Sequence, residues 1–151
     1  EKAEVVIVID RAYGFSPSHL KDNLAESHII SDHLNLTGDN PLVGPNNPIG
    51  ERFPVVNSIY LSAADTIDQE ETWTMGNPLS KLRSGIVAGI KPGLVPSQAD
   101  LDLIYSMGAH FYNWNTVPTM IVAAHAGLKV LALAVPEGDV LPNQVLMAIN
   151  R

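Results

Sequence analysis

The sequence predicts an α/β fold: a mixed, mainly parallel sheet flanked by helices, in a single domain over residues 1–151. Three observations carry this expectation. Short β-branched or apolar runs alternate with segments of helical periodicity, which is the rhythm of strand-helix-strand units. Gly, Pro and Asn fall between those segments rather than inside them. A chain of 151 residues with 46% hydrophobic and 17% charged residues has the length and composition to bury one real core.

Taken in order, Glu4 to Asp10 is a β-branched run that stops at the turn-rich Tyr13-Gly14-Phe15-Ser16-Pro17, and it reads as a buried parallel strand. Ser27 to Leu34 is a second strand. Asn35 to Pro54 holds four Pro and three Gly, which excludes helix and central strand and leaves a long loop, ordered or mobile. Asn57 to Glu71 is expected to be a helix capped by Ser58, with Tyr60, Ala63, Ala64 and Ile67 as its apolar stripe. Arg83 to Ile90 returns as a strand. Ser97 opens a helix through Leu101, Ile104 and Tyr105 that Gly108 stops. His110 to Tyr112 is a short strand, Val117 to Ala126 a helix with Pro118 in its first turn, Leu128 to Val135 an apolar strand, and Asn143 to Arg151 a short helix.

Composition excludes several function classes. Sixteen acidic against nine basic residues give a charge of -7, and the basic residues are scattered, so no nucleic-acid partner is expected. With no cysteine there is no thiolate metal site, Cys nucleophile or disulfide, and a cytoplasmic protein is not distinguished from a secreted one. No run reaches the roughly 20 apolar residues of a membrane span, and Glu1 to Glu4 does not read as a signal peptide. His19, His28, His33, His110 and His125 lack paired ligand spacing, so no metal is expected. The acids Asp65, Asp68, Glu70 and Glu71 read as a solvated face. Asn35-Leu36-Thr37 is a glycosylation sequon read first as part of a folded strand-loop segment.

Several motifs then fall in one order: Asp32-His33-Leu34-Asn35-Leu36-Thr37-Gly38, Asn40-Pro41-Leu42-Val43-Gly44-Pro45-Asn46, Arg52-Phe53-Pro54, Thr116-Val117-Pro118, and Ala123 to Val130. Together they resemble the trimeric purine nucleoside phosphorylase and methylthioadenosine phosphorylase family. The resemblance runs over roughly residues 4 to 150 and matches only the second half of such an enzyme. It implies phosphorolysis, with phosphate attacking the sugar carbon as the purine leaves. It also implies a partner, a second chain supplying the N-terminal half of the fold, and an oligomer with trimeric units that the Asn35 to Pro54 loop helps to join.

By that resemblance the chemistry is largely replaced, and no catalytic residue is expected. The carboxylate that holds the purine edge aligns with Pro96, which has neither a side-chain acceptor nor an N–H. The group that bonds the leaving base aligns with Gly138, a one-residue slip offering Glu137 or Asp139 instead, and the sugar-binding His falls at Pro142 or in a deletion beside it. Arg11 and Tyr13 stand where small residues line the phosphate and sugar. Val95 stands at the aromatic position over the base, Trp114 at a Met under the ribose, and Asn115 at a phosphate-side Ser.

Losses at the purine, ribose and phosphate subsites do not repair one another, because each transition-state contact is worth orders of magnitude in rate. Arg11, Tyr13, Val95, Tyr112, Trp114 and Asn115 are therefore ligand-binding candidates, read in two ways. The larger side chains fill an abandoned pocket, or their apolar and aromatic walls hold a flat, apolar small ligand such as a pigment. The expected function is a catalytically inactive family relative re-used for binding, storage or structural assembly, with no cofactor. The alternative is a divergent phosphorylase completed by a second chain, with phosphate as co-substrate and Arg11, Asn115 and Glu137 or Asp139 taking over roles.

Overall fold

The structure, a computed structural model, describes residues 5–16, 26–46, 50–66 and 78–141. It contains strands β1 (Val5–Gly14), β2 (His28–Leu36), β3 (Arg83–Ile90), β4 (Phe111–Asn113) and β5 (Lys129–Pro136), with helices α1 (Gln98–Ser106) and α2 (Thr116–His125). Parallel ladders join β1 to β5, β2 to β3 and β3 to β4. Two short antiparallel ladders complete the ring: Tyr13 and Gly14 of β1 face Tyr112 and Phe111, and His28 to Ile30 of β2 face Ala134 to Ala132 of β5. The result is a closed barrel in the order β1-β4-β3-β2-β5.

The alternation of elements thus yields a mixed sheet with more parallel than antiparallel ladders, but not the open sheet between two layers that was expected. The short antiparallel ladders curl it shut. Among the described residues the sheet has no open edge, because both ends of the strand order are joined.

β1 also departs from the fully buried strand. It continues through Tyr13 and Gly14, and its outward Val5, Ile7 and Ile9 alternate with half-buried Val6 and Val8. Those three side chains are 39% to 50% exposed, an apolar row on the outside of the barrel. β5 is the strand buried along its length from Val130 to Pro136, as its apolar sequence requires.

A second correction concerns residues 57–71. Instead of opening a helix, Ile59 to Leu61 run extended beside β5: the Val130 N–H donates to the Ile59 carbonyl at 2.8 Å and the Leu61 N–H to the Val130 carbonyl at 2.8 Å. Pairing with a buried strand satisfies backbone groups and buries Ile59 at once, which outweighs a modest helical stripe. A single 3-10 turn follows at Ala63–Thr66, where Asp65 accepts from the Ser62 N–H and hydroxyl. The remainder of that expected helix and the helix expected over Asn143 to Arg151 lie outside the described residues.

α1 starts where Ser97 and Asp100 form a reciprocal capping box, and its buried Ile104 packs in a cluster with Phe15, Ala88 and Ala109. α2 lays Met120 and Ala123 onto a core of Ile30, Val87, Phe111 and Val130. It approaches so closely that a Cβ on Gly89 of β3 would stand 2.5 Å from Cγ2 and 2.6 Å from Cβ of Val117. Gly89→Ala must push the helix off the barrel and is expected to cost about 1–3 kcal/mol, read as a lower urea midpoint. An unchanged midpoint would contradict this contact between β3 and α2.

Candidate functional site

The barrel gathers β1, β4 and the turn after β5 at one place. Because Tyr13 and Tyr112 are register partners, their rings stack at 5.1 Å with planes 20° apart. Trp114, just beyond β4, meets the Tyr13 ring edge-on at 5.6 Å, and Phe15 lies 6.0 Å from Tyr112. Partial burial, then the neighbouring Tyr13, hold the Tyr112 phenol above its ordinary value, so it stays protonated. The Trp114 indole N–H is buried with no acceptor.

Arg11 is exposed, but one end of its guanidinium is engaged. Its Nη1 donates to the carbonyls of Pro136 at 3.1 Å and Asp139 at 3.2 Å, tying β1 to the turn after β5. That turn closes through the Asp139 N–H on the Pro136 carbonyl at 3.1 Å, and Gly138 adopts φ +88°, where a side chain would strain the backbone. The Asp139 carboxylate turns to the Ser27 hydroxyl at 2.6 Å, which is the main reason its carboxyl titrates below the usual range. Glu137 is exposed instead, and with Arg11, Ala12, Tyr13 and Gly138 it borders a recess of about 350 Å³. The turn thus separates the two acids that a one-residue slip would offer: Glu137 borders the recess and Asp139 is bound away.

Of the six binding candidates, Arg11, Tyr13, Tyr112 and Trp114 come together. Asn115 is exposed at the start of α2, its side chain caps nothing, and its carbonyl accepts from Thr119. Val95 lies on the segment between β3 and α1 and is 82% exposed. Pro96 follows it, and Pro142 lies outside the described residues. A second recess of about 390 Å³, bordered by Asn35, Gly38, Asp39, Asn40 and Val43, sits on the loop after β2. There Asn35 Oδ1 accepts from the Thr37 N–H and hydroxyl.

Sequence reasoning missed the polar set beneath the aromatic cluster. Asn113, 2% exposed, donates from Nδ2 to Thr116 Oγ1 at 2.7 Å, to Asp10 Oδ2 at 3.2 Å and to the Arg11 carbonyl at 3.2 Å. Thr116 Oγ1 donates in turn to Asp10 Oδ2 at 3.1 Å, and Asn113 Oδ1 accepts the Thr116 N–H at 3.3 Å. Asn113 therefore caps α2 in place of Asn115 and locks it to β1. The available signal was an Asn ending an otherwise apolar and aromatic strand, since a buried amide must find partners.

His33 and Tyr60 form another partly buried pair, His33 Nδ1 lying 2.5 Å from the Tyr60 hydroxyl. Burial lowers the imidazole's pKa and raises the phenol's, so both are neutral. Among the described residues no three His, Asp or Glu side chains gather as metal ligands, and no helix is long and apolar enough to cross a membrane.

Comparison with known proteins follows this geometry. No protein-family model matches the chain. Purine nucleoside phosphorylase 1 of Bacillus subtilis is 31% identical over 132 residues, covering 87% of this chain and 46% of that protein. The Bos taurus purine nucleoside phosphorylase is 29% identical over 148 residues, covering 95% and 48%. A solved structure of isoform 2 of the Schistosoma mansoni enzyme, in complex with cytosine and ribose-1-phosphate, superposes with TM-score 0.69 at 26% identity, over 97% of this chain and 50% of that one. The chain spans about half the length of the curated relatives it matches.

Asn113→Leu is expected to leave Thr116 and Asp10 facing an apolar group, lowering stability by about 1–3 kcal/mol and changing the Tyr112 and Trp114 near-ultraviolet signal. An unperturbed aromatic signal in a folded variant would show that this network does not position the cluster.

Proposed function

The chain looks like part of the purine nucleoside phosphorylase family, and on that premise we propose that it is a catalytically inactive relative re-used for binding, in an assembly completed by a second chain. One observation carries the reading. Arg11, the cation bordering the recess, gives its Nη1 to the Pro136 and Asp139 carbonyls, while Tyr13, Tyr112 and Trp114 pack on one another beside it. With Nη1 turned to carbonyls, fewer guanidinium donors are left for phosphate, and a leaving purine needs a polar group at its edge. Gly138 supplies no such group, and Pro96 has none to supply.

The ligand this arrangement suits is small, flat and largely apolar, lying on the outward face of Tyr13 over the recess. Storage or structural assembly is the same reading with the cleft filled by its own rings. The partner is a chain carrying the N-terminal half of the family fold, in trimeric units, and the uncovered row Val5, Ile7 and Ile9 supports it because an apolar strand face is unfavourable in water.

The rival, a divergent phosphorylase completed in trans with phosphate as co-substrate, is favoured only by Glu137, an uncommitted acid at the recess.

Incubation with inosine, guanosine or methylthioadenosine and phosphate is expected to release no base from the native assembly, whose mass exceeds 16.3 kDa. Anilinonaphthalene sulfonate is expected to fluoresce on binding, with affinity falling about fivefold in Tyr13→Ala for a lost stacking contact of roughly 1 kcal/mol. Measurable phosphorolysis would sink the inactive reading, and a stable monomer would sink the assembly.

A further inference from the structure

The barrel is closed between β2 and β5 by only the three residue pairs from His28 to Ile30, and the first of them is a buried imidazole. His28 is 4% exposed, with its ring 4.7 Å from that of Phe111. Its Nδ1 lies 2.8 Å from the Glu26 carbonyl and donates to it in the neutral tautomer. Gly85 of β3 leaves room for the ring, since a Cβ there would meet Phe111 at 3.0 Å and His28 Cδ2 at 3.4 Å.

The charged surroundings are unfavourable to a second proton. Arg83 is the register partner on β3, and His110 stands just before β4 with its Nδ1 buried and unpartnered. Among the described residues the acid acting on it is Glu26, on the lead into β2, and its register partner on β5 is Ala134. Burial is the main cause that keeps His28 below its ordinary value of 6.5, with Arg83 and His110 adding to it against Glu26 and its carbonyl. The residue before it, Ser27, holds Asp139, whose backbone carbonyl accepts from Arg11 at the recess.

We propose that His28 makes the seam between β2 and β5 an acid-sensitive latch, whose protonation unpairs the strands and releases the Ser27, Asp139 and Arg11 clamp beside the recess. The sign follows from the imidazole's preference. Above pH 6.5 His28 is neutral in both open and closed seams, and stability is complete. As pH falls through 6.5 the open seam takes up a proton that the closed seam refuses, so closure weakens progressively until the closed form also protonates.

Hydrogen exchange on the native assembly tests this. Peptides covering residues 27–31 are expected to lose protection by up to about tenfold per pH unit between pH 6.5 and 5, after correction for the intrinsic rate, while peptides of α2 change less. His28→Met, which fills similar space without a titrating group, is expected to abolish the excess loss at residues 27–31. His110→Asn is expected to retain it, because His28 still titrates. Equal loss in seam and α2 peptides of the wild-type protein would overturn the latch without needing any variant. So would an unchanged pH dependence in folded His28→Met. Neither outcome bears on whether the recess binds a ligand.

Discussion

Everything in this barrel hangs on β5. From Val130 to Pro136 it is buried, and it is paired along its whole length with β1 on one side and in short stretches with Ile59 to Leu61 and with β2 on the other. A strand enclosed in this way has no solvent to satisfy its amides, so its neighbours are fixed by hydrogen bonding before any side chain is considered. The register Arg11 with Val135 and Ala12 with Pro136 then decides where β1 ends, and hence that Tyr13 faces Tyr112. The candidate site is a consequence of that ladder.

Such a site shows how side chains at strand ends serve one another while backbone pairing holds the fold. Strand pairing is made by backbone, which Arg11, Tyr13 or Trp114 do not disturb. The groups projecting from the strand ends find their partners within the protein. Arg11 closes a turn, Asp139 binds Ser27, and the rings stack on each other. Changing one residue alone would not open the site, because each is held by another.

The strands at β3, β4 and β5 and helices α1 and α2 were legible within a residue or two, since runs such as Lys129 to Pro136 have one physical outcome. The motif reading likewise put Arg11, Tyr13, Tyr112 and Trp114 in one place. Ile59 to Leu61 was misread because its apolar spacing fits a helix as well as an extended segment, and only the unfilled side of β5 chooses between them. Barrel closure was hidden for a similar reason: no residue pattern marks that His28 to Ile30 will meet β5. Asn113 was overlooked because a lone Asn is common.

The row of Val5, Ile7 and Ile9 has one more consequence. β1 carries no charge between Val5 and Ile9, so nothing on it repels another copy of itself. Crowding then acts on this face first, because two such rows can bury one another without unfolding the barrel.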